Sequence, residues 1–320
     1  MDNTKISWTH ASWNPQVGCS RVSAGCQNCY AEVAVSRIPK RLNGAQVRGA
    51  EFYEGITRET SSGPRWTGVI KPKREVLDQP LRWKRPRKIF VNSLSDLFHE
   101  NLPFSYVGAV FGVMLAAKHH TFQVLTKRPK RAAEFFVWLD RMAIETGDHW
   151  TRCCLNLAEV ELPDNSPHKG TVVARGEAVH TSWPIPNVWL GVSVEDQKAA
   201  DERIPILLRL PAAVRFLSCE PLLGPVDLEP FFGQPDKNGE LSGPRLEPDG
   251  TPAIKWTIVG GESGPNFRPM DVSWAQAIQA QCEEAGVAFF YKQAAAYKPG
   301  QNPHLPGKDG QPTKFQAFPV

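Results

Sequence analysis

Apolar residues gather along this chain in short runs, each followed by polar residues and usually by a stretch with helical spacing. The clearest runs are Lys88–Ser93, Phe122–Thr126, Val188–Ser193, Val214–Ser218, Trp256–Val259 and Val287–Tyr291, with Trp13–Gly18 a weaker seventh. Short continuous runs of this kind suit strands buried on both faces. Between them, Phe104–Lys118 carries Val107, Val110, Phe111, Met114 and Leu115, and Lys130–Ile144 carries Ala132, Phe135, Leu139 and Met142. Spacings of three and four mark one face of a helix. Glu195–Leu210 and Ser273–Ala285 are also predicted helices. Pro205 is expected to kink or split the first, and Gly286 stands where a helix end favours glycine. Strand alternating with helix predicts an α/β fold of parallel strands, forming a partial or full β/α (TIM-like) barrel.

Two stretches interrupt the alternation. Glu145–Pro186 is polar and contains Pro163, Pro167, Pro184 and Pro186, while Phe232–Pro252 is rich in Gly, Pro and Asp. Both read as irregular insertions within a single domain spanning residues 1–320. Arg37–Gln79 also lacks periodicity and is expected to cover one end of the sheet.

Composition narrows the class. With 41% hydrophobic and 22% charged residues, the chain is not a disordered one. No apolar run approaches the roughly 20 residues of a membrane span. The polar start lacks the apolar region of a secretory signal, so a soluble, cytoplasmic protein is expected. Seven cysteines are an odd number for a disulfide scaffold, and three of them crowd between residues 19 and 29. That crowding points to a metal site in a reducing compartment.

The three form Cys19-x6-Cys26-x2-Cys29, followed at once by Tyr30. Three thiolates on one loop can hold three irons of a [4Fe–4S] cluster and leave the fourth iron open to another ligand. Gly18 and Gly25 each precede a cysteine and free the loop to wrap a compact object. The alternative is a structural zinc site, with His10 or another residue as fourth ligand.

The segments Lys5-Ile-Ser-Trp8, Trp13-Asn-Pro15, Gly18-Cys19 and Gly25-Cys-Gln-Asn-Cys-Tyr-Ala-Glu32 resemble those of a phage-associated family with a three-cysteine motif. Phe90-Val-Asn-Ser-Leu-Ser-Asp-Leu-Phe-His99, Leu125-Thr-Lys-Arg128, Trp189-Leu-Gly-Val-Ser193, Cys219-Glu-Pro-Leu222 and Ile258-Val-Gly-Gly-Glu-Ser263 extend the resemblance over nearly the whole chain. That family is similar in turn to radical S-adenosylmethionine (SAM) enzymes. Their usual motif is C-x3-C-x2-C with an aromatic residue before the last cysteine. Here the first gap is six residues and Tyr30 follows the last cysteine. The resemblance implies a [4Fe–4S] cluster on Cys19, Cys26 and Cys29, SAM as co-substrate, hydrogen abstraction from carbon and an electron donor protein.

In a parallel α/β fold, ligands meet the carboxyl ends of the strands. Those ends are polar here: Asn92, Ser93 and Asp96; Thr126 to Arg128; Ser193 and Glu195; Ser218 to Glu220; Gly260 to Ser263; Lys292 and Gln293. Tyr30, Asn92, Ser93, Asp96, Glu195, Gly260, Gly261 and Glu262 are the expected SAM or substrate contacts. Gly260 and Gly261 would allow close approach of a ligand whose ammonium Glu262 binds. Cys219, Glu220 and Lys292 are expected to act on the substrate. The net charge is +4. Lys71, Lys73, Arg74, Arg82, Lys84, Arg85, Arg87 and Lys88 surround Trp83. Such a stretch could track phosphates and stack a base, which would make nucleic acid or a nucleotide the partner. The alternatives are a solvated face and, for the whole chain, a non-enzymatic nucleic-acid-binding module around zinc or a cluster.

Overall fold

The computed structural model describes residues 4–41, 50–177, 183–233, 247, 251–307 and 310–319. Seven strands form one sheet: β1 Ala11–Trp13, β2 Lys88–Val91, β3 Thr121–Thr126, β4 Val188–Ser193, β5 Val214–Cys219, β6 Ile254–Gly260 and β7 Ala288–Gln293. Their order in the sheet is their order in the chain. Parallel pairing places Ala11 beside Ile89 and Ile89 beside Phe122. It likewise places Thr257 beside Leu217 and Phe289. Parallel strands in chain order, joined by helical crossovers, are the topology of a partial β/α barrel. Each expected strand exists, within a few residues of its expected bounds. Trp13–Gly18 is divided between β1 and Gln16–Val17, which pairs antiparallel with Lys71–Pro72.

The chain resolves into two compact units interleaved along the sequence. The first holds residues 1–22, 29–189 and 211–213; the second holds residues 23–28, 190–210 and 214–320.

In the first unit, α1 (Tyr30–Arg41) follows the cysteine loop. α2 (Phe104–Ala116) is buried from Tyr106 to Ala116. α3 (Pro129–Thr146) ends at Gly147, whose φ of 71° is the left-handed cap glycine permits. The stretch expected to be irregular from Glu145 to Pro186 instead carries α4 (Trp150–Glu161) and α5 (Val172–Glu177). α4 buries Cys153, Cys154, Leu155 and Ala158. It packs so closely on α2 that a Cβ on Gly112 would overlap the Cys154 carbonyl. The prolines flank these helices rather than interrupt them. Phe98, Phe111, Phe135, Phe136, Trp150 and Trp183 form a continuous aromatic core.

In the second unit, α6 (Gln197–Leu207) starts at Asp196, whose carboxylate accepts the Ala199 N–H at 2.8 Å. Pro205 falls in its last turn and does not split it. α7 (Val272–Ala285) ends at Gly286, as expected, with φ 68°. Trp256, Phe216, Phe290 and Phe318 form the core of this unit. The expected insertion at Phe232–Pro252 falls almost wholly outside the described residues.

Candidate functional site

In the first unit the cysteine loop leaves β1 through Gln16–Val17. Gly18 has φ 105°, and a Cβ there would overlap the Val69 carbonyl, so glycine alone fits. Cys19 and Cys29 both pack against the apolar cluster of Val17, Ala31, Val35, Ile56 and Trp66. Arg21 and Glu32 tie the two sides of the loop together, Nε to Oε1 at 3.0 Å and Nη2 to Oε2 at 2.6 Å. Glu32 is buried and also accepts the Trp66 N–H at 3.0 Å.

Arg128, at the end of β3 and 8% exposed, is the centre of this region. Its Nε donates to Glu100 at 2.8 Å, and Nη1 donates to Asp96 at 3.1 Å and to the Cys19 sulfur at 3.7 Å. Nη2 donates to the Ser20 carbonyl at 3.0 Å and to its hydroxyl at 2.8 Å. Burial pushes the Cys19 thiol up to about 12; Asp96 adds to this and Arg128 opposes it. Glu100 is held at about 2: burial works against its ionisation, but backbone and Arg128 hydrogen bonds outweigh it. The buried His99 lies 3.0 Å from the Ser20 hydroxyl, and burial together with Arg128 favours its neutral form.

Asp96 is fully engaged. Oδ1 accepts from Thr126 at 2.7 Å and from Phe98 N at 3.0 Å, while Oδ2 accepts from Lys127 N and Arg128. Its role here is to hold Arg128. Ser93 exchanges hydrogen bonds with Asn14 at 3.2 Å, and the Tyr30 hydroxyl donates to the Ser93 carbonyl at 2.8 Å. Cys19, Tyr30, Asn92, Ser93 and Asp96, expected from the sequence, thus fall beyond the carboxyl ends of β1 and β2 and at the start of α1. Arg128 was visible in the sequence only as a strand-end residue, and Arg21 gave no signal.

In the second unit the expected carboxylates are all paired. Glu195 is met by Arg203 at 2.7 and 3.2 Å, both side chains being buried. Glu262 Oε1 accepts from Arg268 at 2.6 Å, and its Oε2 accepts from Arg268 N, Arg268 Nε and Asn28. Burial opposes its ionisation, but the hydrogen bonds from Arg268 and Asn28 prevail and hold it below the ordinary carboxylate range. An ammonium at Glu262 would have to displace a bidentate arginine. The glycines before it serve packing: a Cβ on Gly260 would crowd the Glu220 carboxylate, and one on Gly261 would overlap the Ala295 backbone. That corrects the reading of Gly260 and Gly261 as room for a ligand.

Glu220 and Lys292 do meet, at 2.7 Å. Cys219 does not join them as a reactive group. It is fully buried near Cys282 of α7, and burial, with Cys282 adding to it, raises its thiol well above the ordinary range. A thiol held protonated in a core is inert. Cys26 belongs to this unit with Ser23–Asn28, its sulfur 3.9 Å from the Ser23 hydroxyl.

Among the described residues, no three His, Cys, Asp or Glu side chains are gathered as ligands of a metal ion. His10 accepts the Lys88 N–H at 3.0 Å at the amino end of β1, whereas Cys19 lies beyond its carboxyl end, so His10 is no fourth ligand for zinc.

Most of the basic stretch is engaged within the first unit. Lys71 donates to the Glu51 and Glu54 carbonyls, and Lys73 to Tyr53. Arg74 pairs with Glu161, Arg82 with Asp78, and Arg87 lies over Trp83. Lys84 and Arg85 have no ion pair with any described residue. No described helix is long and apolar enough to cross a membrane.

These features define an α/β protein with partial β/α-barrel topology and a polar network, built around Arg128, at the strand ends of its first unit. The chain belongs to the family described as Protein of unknown function (DUF5131), whose model matches residues 3–317. No curated protein and no solved structure matches it.

Proposed function

We propose that the protein is an iron–sulfur enzyme of the radical SAM type, with Cys19, Cys26 and Cys29 as ligands of a [4Fe–4S] cluster. The observation that carries this reading is the Arg128 guanidinium beside the Cys19 sulfur, on a cysteine loop closed by Arg21 and Glu32. A cubane takes its thiolates on separate irons, so it asks for a wider donor set than a single ion does. Hydrogen bonds to ligating sulfur stabilise the thiolate and tune the cluster. Arg128 supplies one, and its positive charge favours a thiolate that burial alone would keep protonated.

When bound, such a cluster supplies one electron to the sulfonium of SAM, and an electron donor protein has to replace it. The chain's own residues do the rest. Asp96 and Glu100 orient Arg128, Tyr30 fixes the start of α1 to the end of β2, and Val17, Ile56 and Trp66 keep water from the loop. A nucleic-acid or nucleotide substrate would be met by Lys84 and Arg85.

Iron and sulfide analysis of anaerobically purified protein tests the reading. About four irons per chain are expected, with broad visible absorbance. Alanine at Cys19, Cys26 or Cys29 should abolish intact loading, and Cys282→Ala should not. Stoichiometric zinc without iron, or equal iron loss from Cys282→Ala, overturns the proposal.

A further inference from the structure

Asn92 follows the last residue of β2 with φ 65°, a left-handed conformation that asparagine tolerates better than most residues with a side chain. The residue is 3% exposed, and neither Oδ1 nor Nδ2 has a hydrogen-bond partner among the described residues. No other carboxamide among the described residues is buried with both polar atoms unpartnered. A buried polar group left unsatisfied costs about 1–3 kcal/mol. Glycine would make the same turn without that cost, so the turn alone does not account for the buried amide.

The neighbours leave this capacity unused. The backbone of Asn92 is committed: its N–H donates to the Trp13 carbonyl at 2.8 Å, and its carbonyl accepts from Ser95 N at 3.4 Å. Ser93 and Asn14 bond to each other, Tyr30 bonds to the Ser93 carbonyl, and Asp96 has no free lone pair toward a ligand. What remains is one planar group offering a donor beside an acceptor, at the strand end where parallel α/β folds bind ligands.

The complement of such a group is an edge that presents an acceptor beside a donor. Adenine does so through N7 and its 6-amino group, and a carboxamide pairs with that edge through two hydrogen bonds. We infer that Asn92 reads the base of an adenine nucleoside at the carboxyl end of β2, donating to N7 and accepting from the 6-amino group. SAM carries such a base. The inference therefore deepens the proposed function, yet it stands on Asn92 alone and not on the cluster.

The test is calorimetric titration of the full chain with adenosine and with purine riboside, which keeps N7 and lacks the amino group. The parent should prefer adenosine by about tenfold or more, because an analogue lacking the donor leaves a buried acceptor unpaired. Asn92→Gly keeps the backbone conformation. It should bring the preference to within about twofold, with a thermal midpoint no lower than the parent's. Asn92→Ala should show the same loss of preference. A preference that survives Asn92→Gly overturns the inference, as does failure of the parent to bind adenosine. A marked fall in the Asn92→Gly midpoint also overturns it, since the amide is then structural and satisfied by buried water. An iron-free parent that still prefers adenosine through Asn92 sinks the cluster reading and keeps this one. An iron-loaded parent whose SAM affinity is unchanged by Asn92→Gly does the reverse.

Discussion

In the second unit every carboxylate that the sequence placed at a strand end has a cation of its own: Arg203 for Glu195, Lys292 for Glu220, Arg268 for Glu262. The strand ends of the first unit are equally polar but are arranged differently. There a single guanidinium gathers two carboxylates, a hydroxyl and a cysteine sulfur, and one carboxamide finds no partner among the described residues. Residue type is the same in both regions. What separates a structural ion pair from a group held ready for a ligand is whether its hydrogen-bonding capacity is already used.

The sharpest way to break this comparison is to remove Arg203. A buried pair that loses one partner leaves an uncompensated charge, so Arg203→Met should destabilise the protein by about 3–5 kcal/mol in urea unfolding. An effect below about 1 kcal/mol would mean that Glu195 is not structurally dependent on its arginine. Next in size is Arg128→Lys, which keeps the charge and loses the fork. It should lower the iron retained against a chelator severalfold while the protein stays folded by circular dichroism. Unchanged retention would remove Arg128 from the cysteine site.

A smaller effect is expected at Glu262. Glu262→Gln should cost about 1.5–3 kcal/mol, the range for hydrogen bonds to a charged group, and leave adenosine affinity at the parent's value. Because the folded carboxyl titrates below its unfolded value of about 4.3, this stability is complete above that pH and disappears as the pH falls through the folded value. The variant should therefore lose part of the acid limb of the stability profile. Weaker adenosine or SAM binding would return Glu262 to the ligand site. The smallest effect belongs to Lys84→Glu with Arg85→Glu, within about 0.5 kcal/mol for exposed unpaired cations. If nucleic acid binds there, filter-binding affinity should fall with salt and fall again in this variant; equal affinity in both proteins leaves a solvated face.

The strands were legible because buried parallel strands are apolar on both faces, and runs such as Val188–Ser193 stand out from any helical period. The helix α4 was not. Its buried Cys153, Cys154, Leu155 and Ala158 stand among polar residues and with Pro163 close behind, so composition masked the helix. The polar strand ends were visible as a set, and so were the cysteines. Which of them carried uncommitted groups was not visible, because pairing depends on residues distant in the chain. Arg268 lies close to Glu262 in sequence but closes its shell only through a turn, and Arg128 reaches Cys19 from 109 positions away. The glycines of Gly260-Gly261 looked like room for a ligand, yet Glu220 and Ala295 occupy that space.

The residues that hold Ser23–Asn28 have a consequence for the order of events in the life of the chain. Asn28 donates to Glu262, 234 positions later, and Gln27 accepts from Arg268. During synthesis the segment carrying Cys26 leaves the ribosome well before Glu262. Its clasp does not exist until Glu262 and Arg268 have emerged. Cys29, by contrast, packs on a cluster that ends at Trp66, while Cys19 packs there and also takes a hydrogen bond from Arg128. The segment carrying Cys26 is thus clasped only once Glu262 and Arg268 have been made, which gives this part of the fold a late step.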